Sequence, residues 1–204
     1  MEPPAAAPER FLSVTVAAAP LVRLDTALSE IFDRIKPGRM PRREGTFDPL
    51  DLYLTEPVAG GAHPHRVTIS SPVGAAETSI LLTNLRDGWS SLSMLVARAH
   101  LALQAQVRST PVGVEYPLHS LQIWRGGETD RYVRVMRDDD RWTFYERGSV
   151  QPFEDQSSYR RHRVSDRIGR STLLDYCRAL GWDLASPDFW TASGDAVHYD
   201  EVRN

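Results

Sequence analysis

Twelve residues, "YRRHRVSDRIGR" from Tyr159 to Arg170, hold five arginines and a histidine. Guanidinium groups at this density can clamp phosphates, so Arg160, Arg161, Arg163 and Arg167 are candidate anion-binding residues for a nucleic-acid-associated protein. Two features weigh against that role. The only interleaved aromatic on which a base would stack is Tyr159. From Gln156 to Arg170 five arginines face one aspartate, a net of +4, while from Asp183 to Asn204 five acids face one arginine, a net of -4. Charge balance between these two segments is the favoured reading, through surface ion pairs contributing about 0–1 kcal/mol each. Nucleic acid is not the expected partner.

Asp138, Asp139 and Asp140 are three successive carboxylates, which in another setting would attract a divalent cation. Here they separate two strand-like runs and end just before Trp142, so they read as a solvated hairpin turn. His63-Pro64-His65 is at most a fragment of a metal site, and the proline between the histidines with no third ligand nearby favours a loop. Glu115 and Tyr116 are an acid and a phenol side by side, slight grounds for acid–base chemistry. Cys177 is the single cysteine, which rules out an internal disulfide and any multi-cysteine cluster. It falls on the apolar face of a predicted helix, with no base beside it to activate a thiolate. Neither a P-loop, a G-x-G-x-x-G turn, a G-x-S-x-G elbow nor an H-E-x-x-H pair occurs. No metal or cofactor is expected, and the residues lean away from catalysis.

Composition points the same way. With 204 residues, 41% of them hydrophobic, the chain can bury a sizeable core, and a net charge of -3 gives no whole-molecule pull toward nucleic acid or an anionic membrane. Lys36 is the only lysine among 24 basic residues, which reflects GC-rich coding more than selection for guanidinium chemistry. Met1 to Ala7 lacks the basic and apolar regions of a signal peptide, and no apolar run reaches the ~18 residues of a membrane span. A cytoplasmic protein with no membrane association is expected, with residues 1–10 a disordered tail and 11–204 a single domain.

The elements that would position these residues are legible in part. Phe11 to Val16, "LDLYLT", "RVTISS" and "TSILLTN" read as strands, the last nearly apolar throughout and so central. Beyond Pro111, "GVEYPLHSLQIW", "RYVRVMR" and "RWTFYER" are joined by turn residues and read as an antiparallel meander. Trp142 and Phe144 share one face of it; Tyr132, Arg134 and Met136 lie opposite Val133 and Val135, giving the meander one polar face. Helices are predicted at 26–35, 90–106 and 171–180, the first capped by Asp25 or Thr26, the second by Ser90 or Ser91, the third by Ser171 and ended by Gly181. The expected fold class is α+β, a mainly antiparallel sheet of about six or seven strands with the helices packed on one face.

The run "RWTFYERGSVQPFEDQSSYRRHRVSDRIGRSTLLDYCRALGWDLASPDFW", with "LLTNLRDGWSSL" upstream, resembles a class of single-domain bacterial proteins, some of which are similar to immunity proteins of polymorphic toxin systems. The resemblance covers residues 78 to 190 and brings no catalytic residue. It implies a non-catalytic protein-binding module, an immunity-type inhibitor whose partner is another protein such as a basic toxin domain. Asp138, Asp139, Asp140 and an exposed Trp124 are then the expected contact groups. A small hydrolase or transferase without a short motif is the alternative, and a nucleic-acid accessory protein using the arginine run is a third.

Overall fold

A computed structural model describes residues 11–47, 64–99 and 101–202. The amino-terminal tail, the strand expected at "LDLYLT", His63 and His100 lie outside the described residues.

Among the described residues nine strands form one antiparallel sheet: β1 (Leu12–Ala17), β2 (Arg42–Gly45), β3 (Arg66–Ser70), β4 (Ser79–Thr83), β5 (Leu103–Ser109), β6 (Leu118–Arg125), β7 (Glu128–Asp138), β8 (Arg141–Gly148) and β9 (Ala196–Asp200). Across the sheet they run β2-β9-β3-β4-β1-β5-β6-β7-β8. The sheet is thus wider than six or seven strands. β2 hides in a charged "RREG" at an edge, and β9 sits in a tail read as docked or loose; neither has the apolar alternation of a half-buried strand.

The third added strand overturns part of a helix. The helix predicted at 90–106 is α2 (Ser90–Ala97) only, and β5 follows it. Leu92, Val96, Ala99 and Leu103 keep helical spacing, yet from Leu103 onward side chains alternate. Ala105 and Val107 enter one core while Gln104 and Gln106 turn to the opposite face. Pairing with β1 on one side and β6 on the other outweighs the helical propensity of "LALQAQ".

α1 (Leu21–Ile35) begins one turn earlier than predicted, directly after Pro20, which presets the entry. Asp25 and Thr26 are therefore interior residues and cap nothing: Thr26 Oγ1 donates back to Val22 O at 2.9 Å. Leu24, Ala27, Leu28, Ile31 and Phe32 form its buried stripe. α3 (Arg170–Ala179) buries Leu173, Tyr176 and Cys177, and Gly181 follows at φ +91, the left-handed geometry that ends a helix most cheaply in glycine. Gly169, not Ser171, precedes its first turn.

The helices do not share one face. α1 and α2 pack with Val67, Ile69, Leu81, Val197 and Tyr199 on one side of the sheet. α3 packs on the other, with Val14, Val16, Ile80, Leu82, Val107, Ile123, Val133 and Val135. The reason is visible in β4, whose five residues "SILLT" are all buried: a central strand apolar on both faces needs cover on both.

Candidate functional site

Cover on the α1/α2 face stops part-way across the sheet. Those helices pack over β3, β4, β9 and β1, and their core contains no residue of β6, β7 or β8. On this face the alternation of β5 to β8 presents polar and aromatic side chains in two cross-strand rows. One row runs Ser13, Arg108, Ser120, Arg134, Tyr145; the next runs Thr15, Gln106, Gln122, Tyr132, Arg147. The α2 end buries the start of both: Thr15 Oγ1 and Ser93 Oγ lie 2.8 Å apart, and Ser90 Oγ donates to Gln106 Oε1 at 3.0 Å. The rows then emerge. Tyr145 is 41% exposed, and Thr143 and Arg147 are exposed beside it.

The emerging part is ordered by stacking. The Tyr132 and Tyr145 rings stand 5.5 Å apart at 58°, and the Arg134 guanidinium lies 5.8 Å from each ring centre. Arg134 Nε is buried without a hydrogen-bond partner among the described residues. Arg108 Nε donates to Ser120 Oγ at 3.2 Å, and Gln122 Nε2 to Thr129 Oγ1 at 3.4 Å. With strands about 4.8 Å apart, β6 to β8 present a strip about 10 Å wide. With Arg108 of the adjoining β5, this arrangement offers two aromatic rings, three guanidinium groups and the Gln122 amide, and among the described residues no nucleophile paired with a base.

Asp138 to Asp140 form the tip of the β7–β8 hairpin at one end of that strip. All three are exposed, Asp139 takes φ +49 in the turn, and Arg137 Nη2 reaches Asp140 at 3.2 Å. The tip is an exposed acidic turn, as its residue types suggested. Trp124 is a correction: it is 2% exposed, not a surface anchor. It lies on the same sheet face opposite Gln104, beside the β6–β7 turn, where a Cβ on Gly127 would stand 3.5 Å from Ala97 O at the α2 end. Its indole Nε1 is buried with no hydrogen-bond partner among the described residues.

The arginine run is also placed differently. Asp183 pairs with Arg178, Asp200 with Arg43 and Arg66, and Glu201 with Lys36 and Arg39, so these acids of the tail serve other cations. Within the run, Arg161 donates to Asp166 O at 2.7 Å, while Arg167 donates to Arg161 O at 3.1 Å and lies 5.2 Å from the Phe144 ring centre. Arg160 and Arg163 are exposed, with no side-chain partner among the described residues. Tyr159 is not available to stack, being buried at 6%.

What the sequence did not reveal is a buried polar clasp under the run. Arg131 is 1% exposed and its guanidinium bonds Glu154 (2.7 Å), Glu146 (2.6 Å) and Gly148 O (3.3 Å). Tyr159 OH donates to Glu154 Oε2 at 2.7 Å and lies 3.2 Å from Tyr176 OH. Burial would lower the Arg131 pKa, but the Glu154 and Glu146 hydrogen bonds outweigh it and hold it above the ordinary value. Every hydrogen-bonding group of the ion pair is used, which marks a structural fastening of 149–160 onto β7 and β8. A one-residue signal existed in retrospect: Arg131 has the parity of Val133 and Val135 and so had to enter the core.

A second clasp ties the carboxy-terminal segment to α1. Glu201 accepts from Lys36 Nζ (2.6 Å), Arg39 Nη2 (3.0 Å) and His65 N (2.9 Å), and lies 2.5 Å from His65 Nδ1. Desolvation would raise its pKa; hydrogen bonds from Lys36 and His65 outweigh this and hold it at about 2, below the ordinary 4.5. His65 stacks 4.3 Å from Trp89, whose φ of +49 aims the ring at His65 and Phe32. The neighbouring cleft, about 350 Å³, is floored by Phe32, Met40 and Tyr199; its Lys36 and Arg42 are already paired, the latter with Asp25 and Glu44.

Glu115 and Tyr116 lie in the β5–β6 connection, both exposed, Tyr116 at 57%. Cys177 is fully buried and its thiol is pushed up to about 12 by desolvation, so it is inert. Among the described residues no three His, Cys, Asp or Glu side chains converge on a metal-sized site, and no helix is long and apolar enough to cross a membrane. Comparisons with protein-family models, with curated proteins and with solved structures find no match to this chain.

Proposed function

We propose that this protein is a non-catalytic recognition module of the cytoplasm, binding through the uncovered β6–β8 face and the acidic tip of the β7–β8 hairpin. The observation that carries the reading is the sheet face itself: on β7 and β8, outward side chains that include stacked tyrosines and arginines belong to no core shared with α1 and α2. Rigid aromatic rings with few torsions are efficient contact groups.

Its most specific form is an immunity-type inhibitor. Asp138, Asp139 and Asp140 lie at the exposed end of a hairpin, where complementary charge speeds encounter with a basic toxin domain. The experiment is capture of partners from the native cell on wild-type protein, Tyr132→Ala/Tyr145→Ala and Asp138→Ser/Asp139→Ser/Asp140→Ser. The face variant is expected to lose what is captured through the sheet face, and the tip variant to slow the association of a basic protein. Equal capture by all three proteins removes the reading.

A further inference from the structure

The chemistry of the uncovered face differs from that of the tip, and it selects a different kind of ligand. We propose that the β6–β8 face binds a single strand of nucleic acid, with bases on Tyr132 and Tyr145 and phosphates on Arg134, Arg147 and Arg108. The inference rests on the reading of this face as the binding surface and names what it takes.

Three observations carry it. The first is aromatic surface presented by adjacent strands of a sheet: Tyr132 and Tyr145 are diagonal neighbours on β7 and β8 with ring centres 5.5 Å apart, and Tyr145 is 41% exposed. Tyrosine π-faces on a flat sheet are a sequence-tolerant platform for unstacked bases, and a platform of this width takes two or three of them.

The second is the sign of the charge. Arg134 touches both rings yet forms no ion pair among the described residues, and its Nε has no hydrogen-bond partner there. Arg147, opposite Tyr132, is exposed with no side-chain partner among the described residues. Arg108 spends its Nε on Ser120 and approaches Asp87 O at 3.5 Å, leaving its other donors for a ligand. Against these stands Asp138 at the tip end, which is in register with Arg141. Among the described residues Arg42, Arg43, Arg125 and Arg178 are paired with acids, whereas the guanidinium groups of this strip are not; what separates them from the unpaired Arg160 and Arg163 is the pair of tyrosine rings beside them.

The third is hydrogen-bonding capacity between the stacking and charged groups. Gln122 lies in the second row, half-buried with its amide held by Thr129, and can read base edges or sugar hydroxyls, whereas Ser120 is buried and serves to hold Arg108. A duplex would fit poorly, because its bases are already stacked and the strip is about 10 Å wide. An acidic protein segment would satisfy the arginines but would leave the paired rings without flat partners.

The test is fluorescence anisotropy with labelled single-stranded oligo-uridine and oligo-thymidine, the matching duplexes, and polyglutamate as a charged polymer without rings. Binding is expected to the single strands, more weakly to duplex and to polyglutamate. Tyr132→Ala and Tyr145→Ala should each weaken it about five- to hundredfold, and Tyr→Phe at either position should retain it, because the ring is what binds. Arg134→Gln and Arg147→Gln should each reduce the salt dependence by about 0.7 of a logarithmic unit per lost phosphate contact. Arg160→Ser/Arg163→Ser should change nothing. Unchanged melting temperatures in the face variants exclude unfolding as the cause.

The inference is overturned by absence of single-strand binding at low salt, by binding that survives the tyrosine double variant, by transfer of the effect to Arg160 and Arg163, or by polyglutamate binding as tightly. If oligonucleotides fail while a captured protein is still lost with Tyr132 and Tyr145, only the ligand class is wrong. If neither depends on the face, the reading of the site falls too.

Discussion

At the scale of single residues, Arg131 and Glu201 decide how charge is accommodated inside the molecule. Arg131 is inserted among valines with Glu154, whose side chain is 0% exposed, so removing either partner leaves a buried charge uncompensated. Arg131→Ala or Glu154→Ala should destabilise by about 3–5 kcal/mol, and replacing both by apolar residues of similar size should cost less than either single change. Chemical denaturation of the three variants checks this. For Glu201 the folded pKa, about 2, lies below its ordinary 4.5, so its contribution is present above about pH 4.5 and disappears as pH falls toward 2. The wild-type melting temperature should therefore drop across that window, and the drop should be smaller in Glu201→Gln. Cys177, buried with its thiol near 12, should react with a thiol reagent only after unfolding.

At the scale of elements, the α2–β5 junction shows where pattern and pairing compete. Leu92 and Val96 are fully buried between α2 and the sheet, whereas Leu95 and Leu103 are half-buried. Leu92→Ala should cost about 2–5 kcal/mol and Leu95→Ala about 1 kcal/mol, read by thermal melting. Gly148 closes β8 at φ +89, and a Cβ there would lie 2.0 Å from Asp130 O. Gly148→Ala should cost about 2 kcal/mol or more and loosen the Arg131 clasp beside it.

The same junction explains how much was legible. The β6–β8 meander was readable down to the polar row of Tyr132, Arg134 and Met136, because strict alternation reports both faces of a half-covered sheet. Cys177 as core and Gly181 as helix end followed from helical spacing. β5 was not readable, since "LALQAQV" fits either period and only pairing with β1 and β6 decides it. Trp124, expected to be exposed, was misplaced because its residue type and its place in a strand do not show that this end of the sheet face is buried. The arginine run drew attention by composition, whereas its neighbours Tyr159 and Glu154 turned out to serve the clasp beneath.

At the scale of the whole molecule, the nine-stranded sheet of the described residues is wider than its helical cover, and that mismatch produces the surface proposed to bind. α3 and the segments after β8 close one face along β4 to β7, while α1 and α2 close the β9 to β1 part of the other and α2 reaches β5 at Gln104 and Gln106. The remaining strip is strand throughout and carries arginines and tyrosines, with Leu118 and Met136 half-buried on the same face. Its place beside the acidic hairpin tip gives adjacent regions of opposite charge on a molecule of net charge -3. Site-specific photo-crosslinking in the native cell tests this account most directly, with the photoreactive residue placed at Thr143 on the strip or at Arg160 on the arginine run. Adducts from Thr143 and none from Arg160 are predicted; adducts from Arg160 with none from Thr143 would contradict the claim that the uncovered β6–β8 face is where this protein binds.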